Sequence, residues 1–145
     1  MSENRINLFT GPYRFLSNFY EFRWPIVCEH RLQYRTVENA YQAAKSLYRN
    51  DRIDIKDLPP ARAKIEGRRL TRLRADWEQV KRAVMMELLL QKFINNEDCR
   101  QWLLETGDAH LEEGNHHGDA YWGTVNGKGE NHLGKLLMAV RRLLQ

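Results

Sequence analysis

The stretch DAYWGTVNGKGENHLG, residues 119–134, joins a glycine-rich loop with an acid and a tryptophan to the start of an amphipathic helix. Five of the nine glycines of the chain lie between Gly118 and Gly134, and glycine lets backbone approach a ligand closely or take a positive φ. The helix anchors itself through one apolar stripe, made of Leu133, Leu136, Leu137, Val140 and Leu144. We therefore expect its free N-terminal amides to face the loop and to favour an anion, above all phosphate.

The length of 145 residues indicates a single domain, residues 1–145, that is large enough to bury its own core. Cys28 and Cys99 lie far apart without CxxC spacing, and no signal peptide precedes them, so a reducing cytoplasm is expected. The longest apolar-leaning run, residues 84–90, contains Glu87 and falls short of the roughly 20 residues that span a bilayer. We expect a soluble protein without a membrane partner, and the oligomeric state stays open.

Positive charge is concentrated in the middle of the chain, where residues 62–82 carry eight basic and three acidic side chains. Such a segment attracts phosphates or nucleic acid, but it is also typical of a solvated helical surface. Both interpretations stay open at this point.

The first third of the chain predicts short strands and turns: a strand over 6–9 and a hairpin of 22–28 with 31–34. A helix is predicted over 36–48, with Thr36 as N-cap and with Tyr48 at the end of its buried stripe. Residues 50–60 are expected to be a loop. Pro60 is typical of a first helical position and opens a short basic helix to about residue 69.

The strongest helical pattern covers residues 77–94, where Asp76 is the expected cap and Gln79 completes a capping-box-like pair. A short helix over 98–105 ends at Gly107, and Leu111 lies in a brief extended piece. The sequence therefore predicts an α+β fold, predominantly helical, with a small antiparallel sheet.

Two carboxylates stand out as candidates for catalysis. Glu38 lies in the first turn of its helix, where the dipole favours a charged acid, and shares a face with Gln42 and Lys45. An ordinary helix-start glutamate is the simpler interpretation of Glu38 alone. Asp119 is either a turn residue or the second acid of a pair suited to glycosyl transfer.

Two tryptophans could supply a platform for a planar ligand. Trp122 lies in the glycine loop with Asp119, and its ring either packs inward or stacks on a base or sugar. Trp77 begins the best helical stripe, which is more typical of core. Neither assignment follows from spacing alone.

Other constellations find less support in the sequence. The segment GTVNGKG, residues 123–129, is one residue too short for a P-loop and has Gly129 where a Ser or Thr is needed. His116, His117, His132 and Asp119 lack the spacing typical of a metal site. Ser17 and Cys28 lack the context of a catalytic nucleophile. We therefore expect neither a metal nor a cofactor.

Six segments in the same order resemble the NADAR superfamily, the YbiA-like N-glycosidases, over nearly the whole chain. They are FLSNFY from residue 15, TVENAYQAAK from 36, EGRR from 66, DWEQVKRAVM from 76, LLETGDAHLEE from 103 and DAYWG…NGKGENHLGKLLM from 119. The resemblance implies hydrolysis, without a metal, of an N-glycosidic bond between a phosphorylated ribose and a nucleobase-like group. The implied substrates are riboflavin-pathway intermediates, or ADP-ribosylated guanine free or in nucleic acid.

Carried over by motif, the resemblance assigns catalytic roles to Glu38, Trp77, Asp119 and Trp122. It places Asn18 in the same pocket, and we expect the remaining substrate-binding residues to be Arg68, Gly127, Lys128, Gly129 and Asn131. The chain departs from many relatives after the glutamate, where Asn39, Ala40 and Tyr41 replace His-Tyr-Phe, and this leaves the exact substrate open.

Two other functions compete with hydrolysis. A module that binds ADP-ribose or a related nucleotide needs the anion site and the rings but no paired acids. A basic nucleic-acid-binding protein needs only the segment 62–82, and its binding would depend steeply on salt.

Overall fold

Helices form most of the regular structure in the computed structural model, which describes residues 4–145. The six α-helices of these residues are α1 Val37–Ala44, α2 Arg49–Lys56, α3 Pro60–Arg68, α4 Trp77–Asn95, α5 Glu97–Glu105 and α6 His132–Leu144. The short strands are β1 Arg5–Ile6, β2 Ile26–Val27, β3 Gln33–Tyr34 and β4 His110–Leu111. The predicted helical α+β class with a small antiparallel sheet is confirmed.

The strands form two short pairs among the described residues. β2 pairs antiparallel with β3, with Ile26 opposite Tyr34, as the predicted hairpin requires, although each strand is shorter than expected. β1 pairs parallel with β4, with Ile6 opposite Leu111. The predicted strand over 6–9 is wrong beyond Ile6, because the pairing with β4 ends there.

Contacts divide the chain into two units, which we describe separately. Unit 1 contains residues 4–17 and 97–145, and unit 2 contains Asn18–Asn96. The assignment of 1–145 to a single domain stays a prediction. No helix within residues 4–145 has the length and apolar character needed to cross a membrane.

In unit 2, α1 is the central helix and packs against α2, α3 and α4. The Oγ1 atom of Thr36 accepts a hydrogen bond from the Asn39 N–H at 3.0 Å, so the predicted N-cap is confirmed. The helix ends at Ala44 rather than near residue 48. The backbone forms a tighter turn there, in which the Ser46 N–H donates to the Ala43 carbonyl, and Ser46 then forms a β-bridge with Leu73. Tyr48, expected on the buried stripe, is exposed.

The expected loop over 50–60 is wrong, because α2 occupies most of it. This helix buries only Arg52 and Ile55, and the Arg52 Nε donates to the Ser46 carbonyl at 2.8 Å. A guanidinium therefore supplies part of the anchoring that an apolar stripe gives other helices. Pro60 begins α3 as predicted.

The predicted capping box of α4 is also wrong. Asp76 occupies the N-cap position but makes no side-chain capping bond, because its carboxylate accepts from the Arg74 guanidinium at 2.7 and 3.1 Å. This ion pair lowers the pKa of Asp76. The helix itself begins at Trp77, as predicted.

Unit 1 is built around α6 and α5. α5 ends near the predicted residue, and Gly107 follows it with a φ of +64°, a conformation that glycine adopts at low cost. Leu111 lies in β4 as expected, and Leu133, Leu137 and Val140 of the predicted α6 stripe are buried. Arg141 links α6 to the segment between α5 and β4, because its guanidinium donates to Thr106 Oγ1 and to the Ala109 carbonyl, each at 2.8 Å.

Candidate functional site

Glu38 is a buried carboxylate in the first turn of α1, with 7% of its surface exposed. The Glu38 N–H donates to the Asn18 carbonyl at 3.0 Å, and its Oε1 accepts from the Gln42 Nε2 at 2.7 Å. The helix dipole and this donor favour the charged form of the acid, and its burial opposes it. A buried, oriented carboxylate of this kind suits general base or charge-stabilising chemistry.

Lys45 lies two turns further along the same face. Burial lowers the pKa of Lys45, and the charge of Glu38 is the largest influence that opposes this shift. Arg68 and Lys81 lower the pKa further, and Glu78 raises it. The lysine Nζ lies 5.6 Å from the ring centroid of Tyr41. A lysine with a lowered pKa beside an acid is a functional candidate. Helical spacing places Lys45 on this face, but nothing in the sequence assigns it to the site.

Trp77 contributes a ring to the same cluster. It is 5% exposed, and its ring packs on Tyr41 with centroids 5.1 Å apart and planes at 58°. Trp77 is therefore a core residue, and its role as a pocket wall stays a prediction. Unit 2 brings Glu38, Gln42, Lys45, Tyr41 and Trp77 together.

Asn18 lies beside these residues through its backbone and its side chain. Its carbonyl receives the Glu38 N–H, and its Nδ2 donates to the Met85 Sδ of α4 at 3.6 Å. The Asn18 Oδ1 is buried and accepts no hydrogen bond within residues 4–145. An acceptor left over in this way is suited to a ligand donor, and the binding role of Asn18 stays a prediction.

Asp119 organises the glycine-rich loop of unit 1. Its Oδ1 accepts from the N–H groups of Tyr121 and Trp122 at 3.1 and 2.9 Å, which is the geometry of an Asx turn. Asn115 holds the residue from the other side, because its Oδ1 accepts from the Asp119 N–H at 3.0 Å and its Nδ2 donates to the Asp119 carbonyl at 2.8 Å. The half-buried carboxylate therefore has a structural role whether or not it also acts in catalysis.

Aromatic rings gather next to this turn. Tyr121 contacts Trp122 edge to face, with centroids 5.0 Å apart, and lies 4.5 Å from the ring of His132. Trp122 is half-buried, so it is neither fully packed in the core nor fully exposed to a ligand. Its stacking role stays a prediction.

The expectation that the N-terminal amides of α6 are free is wrong at two positions. The His132 N–H donates to the Tyr121 carbonyl at 3.1 Å, and the Leu133 N–H donates to the Trp122 carbonyl at 2.9 Å. The loop therefore satisfies the start of the helix with its own backbone, as helix ends require. These two groups are not available to an anion.

The turn at Gly127, Lys128 and Gly129 is closed by its backbone. The Lys128 N–H donates to the Val125 carbonyl at 3.1 Å, and the Val125 N–H donates back at 2.8 Å. Gly127 has a φ of +77°, and a Cβ on Gly129 would lie 2.9 Å from the Ala120 carbonyl oxygen. The glycines are thus required by the turn, and their binding of phosphate stays a prediction, as does that of Lys128.

The side chain of Asn131, assigned to substrate binding, serves the fold. Its Nδ2 donates to the Leu111 carbonyl at 2.9 Å and its Oδ1 accepts from the Glu113 N–H at 3.0 Å. The residue is 5% exposed and has a φ of +51°. Asn131 therefore joins the loop to the segment that follows β4.

Arg68 is exposed at the end of α3 in unit 2, whereas Asp119, Trp122 and the glycine turn belong to unit 1. The predicted pairing of Glu38 with Asp119, and of Arg68 with the glycines, stays a prediction. Within residues 4–145, no three His, Cys, Asp or Glu side chains are grouped to hold a metal ion.

A family model described as the NADAR domain matches residues 8–145 of the chain. The chain belongs to the NADAR domain family. This NADAR protein is 37% identical over 149 residues to N-glycosidase YbiA of Escherichia coli, with 99% of the chain and 91% of that protein covered. It is also 45% identical over 112 residues to N-glycosidase Npun_R5314 of Nostoc punctiforme, with 73% and 71% covered.

The NMR structure of the E. coli protein YbiA has the same fold as this NADAR protein. The two superimpose with a TM-score of 0.81 at 36% identity, covering 99% of this chain and 87% of that one. A third relative, riboflavin biosynthesis protein VVA0006 of Vibrio vulnificus, is 42% identical over 73 residues, which are 50% of this chain and 20% of that protein. The expected family and the enzyme class, a hydrolase acting on N-glycosyl bonds, are confirmed.

Proposed function

We propose that this NADAR protein hydrolyses the N-glycosidic bond between a phosphorylated ribose and a nucleobase-like leaving group. The observation that carries the proposal is the buried Glu38 carboxylate, held by Gln42 and placed near Lys45. The name of the Vibrio relative favours a 5-phosphoribosylated intermediate of riboflavin synthesis as substrate.

The chemistry follows from the two charged groups. Ionised Glu38 stabilises the positive charge that develops at the anomeric carbon, and it then accepts a proton from the water molecule whose oxygen bonds to that carbon. As the carbon–nitrogen bond breaks, the leaving nitrogen takes a proton from Lys45, whose lowered pKa makes it a better acid than an ordinary lysine. The rings of Trp77 and Tyr41 form the apolar side of this cluster.

The test uses the intact protein with a 5-phosphoribosylated aminopyrimidine and with ADP-ribosylated guanosine, and measures the released base by chromatography. Glu38→Gln keeps the shape of the side chain and is expected to lower kcat by about 10³-fold, because a charge that acts in the transition state is lost. Lys45→Met is expected to lower it by about 10²-fold. Glu105→Gln, at the exposed end of α5, is the matched control and retains full activity.

Two outcomes overturn the proposal. Tight binding of both compounds without release of base would identify a nucleotide-binding module. Full activity of Glu38→Gln would remove the carboxylate from the reaction.

ADP-ribosylated guanine in nucleic acid is the second candidate substrate, which the basic segment 62–82 favours. Five of its eight basic side chains have an acidic partner within 4 Å, which lowers the net positive charge of the segment; they are Arg62, Arg69, Arg72, Arg74 and Lys81. We therefore place the free nucleotide first. Faster release from a modified oligonucleotide, with a steep salt dependence, would reverse this order.

A further inference from the structure

The side chain of Gln42 is committed to Glu38. The two residues lie one turn apart on α1, where side chains four positions apart meet, and Gln42 is 4% exposed. Its Nε2 donates to the Glu38 Oε1 at 2.7 Å. Because the pair is buried, this hydrogen bond is not exchanged for one with bulk water, and it fixes the direction in which the carboxylate points.

The other end of the same amide has no partner. The Gln42 Oε1 is buried and accepts no hydrogen bond within the part of the chain that the structure describes, an arrangement that costs free energy. Turning the amide over would bring this oxygen against the carboxylate of Glu38, where two acceptors repel. The amide therefore keeps its donor on the acid although its acceptor stays unsatisfied.

Gly67 of α3 covers this unsatisfied oxygen. A Cβ at position 67 would overlap the Gln42 Oε1 and would lie 2.7 Å from its Cδ. The backbone of Gly67 is helical without a positive φ, so it does not itself require glycine. Glycine is needed at position 67 because the side chain of Gln42 occupies the space that a larger residue would fill.

We propose that Gln42 is a positioning residue that aims the carboxylate of Glu38, and that Gly67 keeps Gln42 in the position from which it does so. This inference rests on the proposed function, because it assigns Gln42 a role through Glu38. Glu38 interacts electrostatically with Lys45, which follows α1, and Lys45 in turn interacts with Arg68 of α3 and with Glu78 and Lys81 of α4.

The first experiment replaces the donor and keeps the volume. Gln42→Met is expected to lower kcat on the order of 10- to 100-fold, as misplaced catalytic groups do, with little change in KM. The acidic limb of the kcat profile is expected to move to higher pH, because a donor to a carboxylate lowers its pKa. Gln79→Met, exposed on α4, is the control. A wild-type kcat and pH profile in Gln42→Met would overturn the inference.

The second experiment is a double-mutant cycle. Gly67→Ala is expected to displace the flexible amide and to lower kcat in the presence of Gln42. In a Gln42→Ala background the added methyl group meets no amide and only the retained Cβ of residue 42, at 3.0 Å, so Gly67→Ala is expected to cause little further loss. Losses that multiply independently would show that Gly67 acts by another route and would overturn its part of the inference.

A readout without turnover separates this inference from the proposed function. The pKa of the Glu38 carboxyl group, followed by carbon NMR, is expected to rise in Gln42→Met whether or not the carboxylate is catalytic. An active Glu38→Gln variant with that rise overturns the function and leaves the pairing supported. If Glu38→Gln is inactive and the pKa of Glu38 is unchanged in Gln42→Met, the proposed function is supported and the positioning role of Gln42 is overturned.

Discussion

Glu38 and Asp119, the two carboxylates that the sequence singles out, are held in different ways. Glu38 is buried in a helix and its carboxylate is aimed by a side-chain amide. Asp119 is half-buried in a loop and accepts two backbone N–H groups of that loop. Glu38 can lose its charge without a change in the backbone of its helix, whereas Asp119 determines the backbone conformation of its own loop. A loss of activity therefore has a direct chemical meaning at Glu38, whereas at Asp119 the effect of the lost charge must first be separated from a change in the loop.

The largest effect on stability is expected on the loop side, at Asn131. Asn131→Ala removes two buried hydrogen bonds, leaves the Leu111 carbonyl and the Glu113 N–H without them, and puts alanine at a φ of +51°. We expect the free energy of unfolding to fall by about 3 kcal/mol, measured by urea denaturation. Asn50→Ala, which is exposed, is the control. A loss below about 1 kcal/mol would contradict the role of Asn131 as the link to the segment after β4.

A smaller effect is expected at Asp119, where two substitutions separate shape from charge. Asp119→Ala removes both bonds of the Asx turn and is expected to cost about 1 to 2 kcal/mol. Asp119→Asn keeps an acceptor oxygen and is expected to cost clearly less. Thermal unfolding measures both, with Asp54→Asn as control. Equal stability of the alanine and asparagine variants would remove Asp119 as an organiser of the loop.

That pair also tests the predicted catalytic role of Asp119. If Asp119→Asn folds like the wild type and still loses turnover, the loss belongs to the charge. If only Asp119→Ala loses turnover, the loop is what matters.

The smallest effect is expected on the helical side, at the cap of α1. Thr36→Ala removes the acceptor of the Asn39 N–H, and we expect a cost of about 1 kcal/mol, read from the urea midpoint. Thr36→Ser keeps the hydroxyl group and is expected to recover most of this. A serine variant as unstable as the alanine variant would show that the methyl group, and not the cap, stabilises this helix start.

Local signals explain what could be predicted from the sequence. Thr36, Pro60 and Gly107 were assigned correctly because a cap, a fixed φ and a positive φ depend on a few neighbouring residues. α2 was missed because its anchoring comes from Arg52 and the Ser46 carbonyl instead of an apolar stripe. Asp76 was assigned a cap it does not make, because Arg74 competes for its carboxylate.

The part of the site that can be predicted from the sequence also depends on local signals. Helical spacing alone placed Glu38, Gln42 and Lys45 on one face, and the structure confirms their proximity. The burial that lowers the pKa of Lys45 depends on neighbouring helices, and spacing does not report it. The sequence does not show that the first amides of α6 are hydrogen-bonded, because the carbonyls that accept these bonds belong to Tyr121 and Trp122, about ten residues earlier.

Those two hydrogen bonds make the first turn of α6 a reporter of its loop. The amide protons of His132 and Leu133 are covered by carbonyls of the loop, so they exchange with solvent only when the loop opens, whereas protons further along α6 wait for the helix to unfold. A ligand that closes the loop would slow exchange at these two positions first. Deuterium uptake at residues 132 and 133 is therefore a local measure of occupancy that needs neither turnover nor a label.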